Sequence, residues 1–318
     1  LIIWRDILIG LNEFNVLVKK NRKKKRSWYH GLEGTWWKGM SENAVRQKII
    51  ETNNVFDIED IVEQDSNGSS GAIAICVMVR NEERFGHLKR FVAECEKLEK
   101  RHKNLIYIII EGDSYDDTYK VLKKWLSGKE DGISRNYILK KYDKGYDKFQ
   151  KNRDTRRTKY FAEVRNMLVN YVLEISDISL VFMVDASYGF KENIVDELIK
   201  TLKKDGADIV APLNLSHKDH TGKFMFYDIF AYRKDGKEFT NRWPYHNGIE
   251  KELKSGKPVR IDSCGGGYLI KRKVFDAGVR YRGDKDCEHV MMCSAARKKG
   301  FVIKLNPKAI VRKGGDVG

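Results

Sequence analysis

From residue 71 onward, apolar runs that end on polar or charged residues alternate with segments of helical spacing. The runs are AIAICVMV at 72–79, LIYIIIE at 105–111, SLVFMVD at 179–185 and ADIVAPL at 207–213. Between them lie amphipathic stretches at about 84–100, 116–126, 160–174 and 193–206. A strand covered on both faces reads as a continuous apolar run, and parallel strands need a long crossover, usually a helix. The alternation therefore predicts an α/β fold, a mostly parallel sheet flanked by helices. On the helix at 160–174, the spacing puts Phe161, Val164, Leu168 and Tyr171 or Val172 on one face.

In such sheets ligands bind beyond the carboxyl ends of the strands. Three consecutive strands are followed there by polar loops: RNEER after the first, EGDSYDDT after the second and DASYGF after the third. A carboxylate at a strand tip, as at Asp185, suits a polar cleft. It equally suits the plain end of a buried strand.

Taken in order, these stretches resemble the nucleotide-sugar-dependent glycosyltransferases of the GT-A fold, family 2-like, a Rossmann-like architecture. VMVRNEE looks like the fold's opening strand and loop, and IIIEGDSYDDT is similar to the second-strand motif DDGSxDxT. FAEVRNMLV resembles the helix bearing an Ala-Arg-Asn element, and LVFMVDAS stands where the family carries its DxD motif. GGGYLIKRKVF and CEHVMMCSAARKKGF look like the acceptor-side glycines and the ED-containing helix. The resemblance spans about residues 72–305, so the predicted transferase domain is 72–318.

The resemblance implies a nucleotide-sugar donor, expected to be a UDP-sugar, and roles for particular residues. Arg80 and Asn81 would lie beside the nucleotide, with Glu111 and Asp113 near the nucleoside. Arg165 would approach the diphosphate, and Asp185 would meet a metal ion or the ribose. Glu288 would be the general base, if the reaction inverts the anomeric carbon. Blander readings exist: Glu111 and Asp113 as helix caps, Arg165 in a salt bridge on a solvated helix face, Glu288 answering a helix dipole. Tyr227, Asp228, Trp243, Tyr245, His246, Gly265 and Gly266 are the acceptor-side candidates, with aromatic core packing as the alternative. Two departures stand out. The DxD is Asp185-Ala-Ser187, and the ED pair is Glu288-His289. His289 could share a divalent cation with Asp185, Mn²⁺ being expected and Mg²⁺ the alternative. The rival is a metal-independent site in which Arg and Lys carry the charge.

The chain holds 61 basic and 45 acidic side chains, a formal net charge of +16, which favours a polyanionic partner or a Lys-rich solvated surface. Lys19 to Arg26 contain seven positive charges in eight residues, and Trp28, Tyr29, Trp36 and Trp37 follow. Basic side chains meet phosphates and aromatic faces stack on bases, so residues 1–65 form a candidate nucleic-acid-binding segment. Ser41 is placed to cap a helix over 42–51. SNGSSG at 66–71 separates this segment from the α/β part.

These features lead us to expect a hydroxymethylated base in DNA as acceptor, as in a phage-type DNA-modifying enzyme. A glycan, a protein or a lipid-linked sugar is the alternative acceptor. A nucleic-acid-binding protein with a degenerate transferase domain is the alternative class. Five cysteines without a CxxC pair predict reduced thiols. The opening LIIWRDILIGL lacks a signal peptide's charged start and cleavage site, and no run approaches a membrane span of about 20 residues. A cytoplasmic protein is expected, in the host cell if phage-encoded.

Overall fold

The computed structural model describes residues 71–129, 131–145 and 154–315. The basic N-terminal segment and its expected helix over 42–51 lie outside these residues. Among the described residues no helix is long and apolar enough to cross a membrane.

Among the described residues, twelve strands and seven helices follow in chain order. They begin with β1 (Ala72–Val79), α1 (His87–Arg101), β2 (Leu105–Glu111), α2 (Thr118–Leu126), β3 (Asn136–Lys141), α3 (Thr155–Glu174), β4 (Ile178–Asp185) and β5 (Tyr188–Phe190). Next come α4 (Ile194–Lys204), β6 (Ile209–Lys218), β7 (Phe224–Phe226), β8 (Arg233–Lys234), β9 (Lys237–Glu238), α5 (Glu250–Ser255) and β10 (Val259–Arg260). The chain closes with β11 (Gly267–Lys271), α6 (Lys273–Asp276), α7 (Glu288–Lys298) and β12 (Ile303–Lys313). The four apolar runs are all strands. The helix expected at 84–100 starts three residues later, after Gly86 turns the chain with φ 68°.

The main sheet has the order β10-β12-β6-β11-β4-β1-β2-β3, with β5 added to β12 and β7 to β6. β1, β2, β3 and β4 are mutually parallel, and Val77 stands beside both Ile109 and Val184. β11 runs antiparallel between β4 and β6, while β12 lies parallel to β6. One face of β1, carrying Ile73, Ile75, Val77 and Val79, packs with α1, α2 and α4 in a single apolar core. Alternation sends Ala74 and Cys76 to the other face, where these small side chains let α3 approach. α3 lies against β1, β2 and β4, and touches α7.

On α3 the buried stripe includes Val164, Arg165, Leu168, Val169 and Val172, whereas Phe161 and Tyr171 are half-buried. The expected apolar face is thus rotated to admit a guanidinium. Phe91 of α1 is fully buried and meets Trp125 and Phe190 edge-to-face at centroid distances of 6.5 and 6.2 Å. Phe91→Ala should cost about 3–5 kcal/mol by the transfer and cavity terms. Urea unfolding followed by circular dichroism checks this, with a lower midpoint at unchanged slope as the expected result.

Candidate active site

Because β1, β2 and β4 are parallel, their carboxyl ends open on one edge. A cleft of about 240 Å³ lies there. Its walls include Arg80 and Glu82 after β1, Asp185, Ser187 and Tyr188 around the β4–β5 turn, and Arg157, Phe161 and Arg165 from α3. Tyr227, Asp228, Phe230, Glu288, His289 and Lys313 complete it from the later half of the chain.

At the floor sits Arg165, only 3% exposed. Its Nη2 is 3.3 Å from Asp185 Oδ1 and its Nε is 3.4 Å from Glu288 Oε1. Burial opposes its charge, but the field of Asp185, with Glu288 adding to it, raises its pKa above the ordinary value. Arg165 is therefore not on a solvated helix face. It joins the tip of β4 to the first residue of α7.

His289 is also buried, with Nδ1 2.9 Å from the Tyr268 hydroxyl, which in turn meets the Tyr281 hydroxyl at 2.7 Å. Burial first, then Arg165 and Arg157, hold its pKa well below 6.5, so the imidazole is neutral. Asp228 follows β7 with a left-handed φ of 56°. The residue is half-buried, with its carboxyl group tucked against Gly265. Burial, then the carboxylates of Glu288 and Asp185, push its pKa up to about 8.

The two glycines expected on the acceptor side have packing reasons. A Cβ at Gly265 would stand 2.5 Å from Asp228 Oδ2 and 3.0 Å from His289 Cδ2. At Gly266, whose φ is 72°, a Cβ would strike Asn214 Nδ2 and the Tyr188 hydroxyl. The bare backbone here lets Asp228, His289 and Tyr188 converge.

The other predicted residues divide. Arg80 lines the cleft. Asn81 ties the first loop to the second: its Oδ1 accepts from the Tyr115 amide at 3.0 Å and its own amide donates to Ser114 Oγ at 2.9 Å. Glu111 is fully buried and accepts from the Ser114 amide through Oε1 at 3.1 Å. Asp113 accepts from the amides of Lys144 and Gly145 through Oδ1 at 2.9 and 2.7 Å. Glu111 Oε2 and Asp113 Oδ2 are buried and accept no hydrogen bond among the described residues, Glu111 Oε2 lying 3.9 Å from Lys141 Nζ, and neither residue is among those lining the cleft.

Trp243, Tyr245 and His246 are not among the residues lining the cleft. Tyr245 is buried against Phe226 at 5.3 Å, and its hydroxyl donates to the Phe224 carbonyl at 2.8 Å. His246 has its ring nitrogens 2.6 and 2.9 Å from the carbonyls of Asn247 and Lys234. Trp243 is half-buried and packs edge-on to Tyr245 at 5.3 Å. These three belong to a satellite aromatic core, the alternative weighed from the sequence.

Asp185 and His289, the pair expected to share a cation, both line the cleft. Arg165 engages Asp185 Oδ1, and the Lys313 ammonium sits on Ser187 Oγ. Among the described residues no group of three or more His, Cys, Asp or Glu side chains is arranged to hold a metal ion. Arg157, Tyr188 and Lys313 had no role in the sequence reading. Lys313 lies 126 residues beyond Ser187, so no local motif links the two.

The model of a family described as Cryptococcal mannosyltransferase 1 matches residues 72–297. The chain belongs to this family. Its described part is thus a glycosyltransferase domain of the GT-A fold. Among solved structures, GalNAc-T7 with UDP, GalNAc and Mn²⁺ is similar with a TM-score of 0.52 and 14% identity, over 86% of this chain. The mannosyltransferase PcManGT from Pyrobaculum calidifontis, in complex with GDP-Man and Mn²⁺, has a TM-score of 0.48 and 11% identity over 81% of this chain. The chain spans 53% of the length of the first and 62% of the second. No curated protein sequence matches it.

In this mannosyltransferase-family domain the folded-state pKa of Asp228 stands at about 8, above its ordinary 3.8. Between those values the folded protein holds a proton that the unfolded chain has lost, so stability falls as pH rises through the window. Asp228→Asn should remove that decline and melt above the wild type at about pH 9. Thermal denaturation across pH checks the sign; parallel curves for the two proteins would contradict it.

Proposed function

We propose that the domain transfers a mannosyl group from a nucleoside-diphosphate sugar to a hydroxyl of a glycan. The observation that carries the reading is the cleft at the strand ends, where Asp185, Asp228 and Glu288 surround Arg165 and cationic side chains line the remaining wall. Mannose follows the description of the family. Glu111 and Asp113, at the end of β2 and on the loop after it, stand where the resemblance expects the nucleoside. The exposed Tyr227 ring and Phe161 and Phe230 offer apolar faces to a pyranose.

In the reaction the anomeric C–O bond breaks, and its electron pair leaves with the β-phosphate oxygen. The acceptor oxygen forms the new bond and gives up its proton. We assign that proton to Asp228. Its proton affinity is suited to a general base near neutral pH. Asp185 and Glu288 are held by Arg165, which leaves Asp228 as the carboxylate outside the ion pair. Glu288, the base implied by the resemblance, is then the residue that fixes Arg165. A hydroxymethylated DNA base is a second acceptor, favoured by the net charge of +16.

The test is a transfer assay offering UDP- and GDP-sugars, mannose among them, to oligosaccharides, hydroxymethylated DNA and unmodified DNA. Mannosylated oligosaccharide is the expected product, and Asp228→Asn should slow its formation by about 10²–10⁴-fold. Product on DNA alone would move the acceptor to the second reading. No turnover with any donor would overturn the proposal.

A further inference from the structure

Where the resemblance leads one to expect a second acidic ligand, this chain has Ser187, and a lysine meets it. β5 pairs antiparallel with the end of β12, in the register Phe190 to Val311, Gly189 to Arg312 and Tyr188 to Lys313. This register brings the Lys313 ammonium onto Ser187 Oγ. The Ser187 carbonyl accepts from the Gly314 amide and from Arg90 Nη2, each at 3.0 Å, so the turn is held from two sides. The ammonium also lies 5.3 Å from the Tyr188 ring centroid and 5.7 Å from that of Tyr227. Among the described residues no carboxylate is within ion-pair distance of it. A lysine bound by a hydroxyl and two aromatic faces has no carboxylate to neutralise it, and this one lines the cleft.

We propose that Lys313 is the side chain that meets the donor's diphosphate, supplying at the Ser187 turn the positive charge that a carboxylate-held cation would otherwise bring. The proposal rests on the nucleotide-sugar reading above. Negative charge grows on the β-phosphate oxygen as the glycosidic bond breaks, and a fixed ammonium beside it lowers the cost of that growth. A serine at 187 suits this arrangement: a carboxylate there would pair with Lys313 and neutralise it, whereas a hydroxyl only orients it.

Titration calorimetry on the full chain with UDP and GDP, in EDTA and again in Mn²⁺, tests the idea. Wild type should bind one of the two diphosphates in EDTA. Lys313→Met should weaken that binding by about 10- to 100-fold, the size of one hydrogen bond to a charged group. Lys313→Arg should restore most of it, and the matching nucleoside without phosphates should bind both variants as it binds wild type. Melting temperatures establish that each variant is folded. Lys313→Met binding as wild type does, or wild type binding in Mn²⁺ but not in EDTA, would overturn the role of Lys313 and leave the nucleotide-sugar reading intact. Failure of wild type to bind either diphosphate in both conditions would overturn that reading and this proposal with it.

Discussion

A guanidinium buried at the meeting point of a strand and two helices organises this molecule. Placing Arg165 under the sheet edge is costly unless its charge is matched, because water is replaced by a poorly polarisable surrounding. The match comes from Asp185 at the end of β4 and Glu288 at the start of α7, elements far apart in the chain. The pair therefore joins the first half of the sheet to the later helix. Burial first, and then the carboxylates of Glu288 and Asp185 that Arg165 holds nearby, raise the proton affinity of Asp228.

Much of the architecture was legible in the sequence because strands buried on both faces leave long apolar runs, as in LIYIIIE, where every residue is buried. The order of polar loops after β1, β2 and β4 located the cleft for the same reason. What the sequence could not show depended on pairing at long range. The antiparallel β11 between β4 and β6 leaves no local mark. The approach of Lys313 to Ser187 exists only through the β5–β12 register. Helical spacing flagged the α3 face but treated Arg165 as interchangeable with any surface arginine, since period says nothing about what a buried charge meets.

Trp243, Tyr245 and His246 show the opposite failure. An aromatic ring beside a hydrogen-bonding group has the composition of a sugar-binding surface, and also of a small satellite core. Here Phe226, Tyr232, Phe239 and Tyr245 close on one another, and the polar atoms of Tyr245 and His246 are engaged by backbone carbonyls. Composition alone does not separate the two cases; the direction of the rings does. Gly265 and Gly266 were legible as close-approach positions, although the groups that approach are the site's own side chains.

We propose that one cleft at the strand ends, built around Arg165, receives the nucleotide. Hydrogen exchange by mass spectrometry, with and without saturating GDP or UDP, tests this most directly. Slower exchange is expected in peptides covering residues 78–86, 111–115, 185–190 and 311–315. Protection confined to other segments, or exchange unchanged by a nucleotide shown to bind, would contradict it.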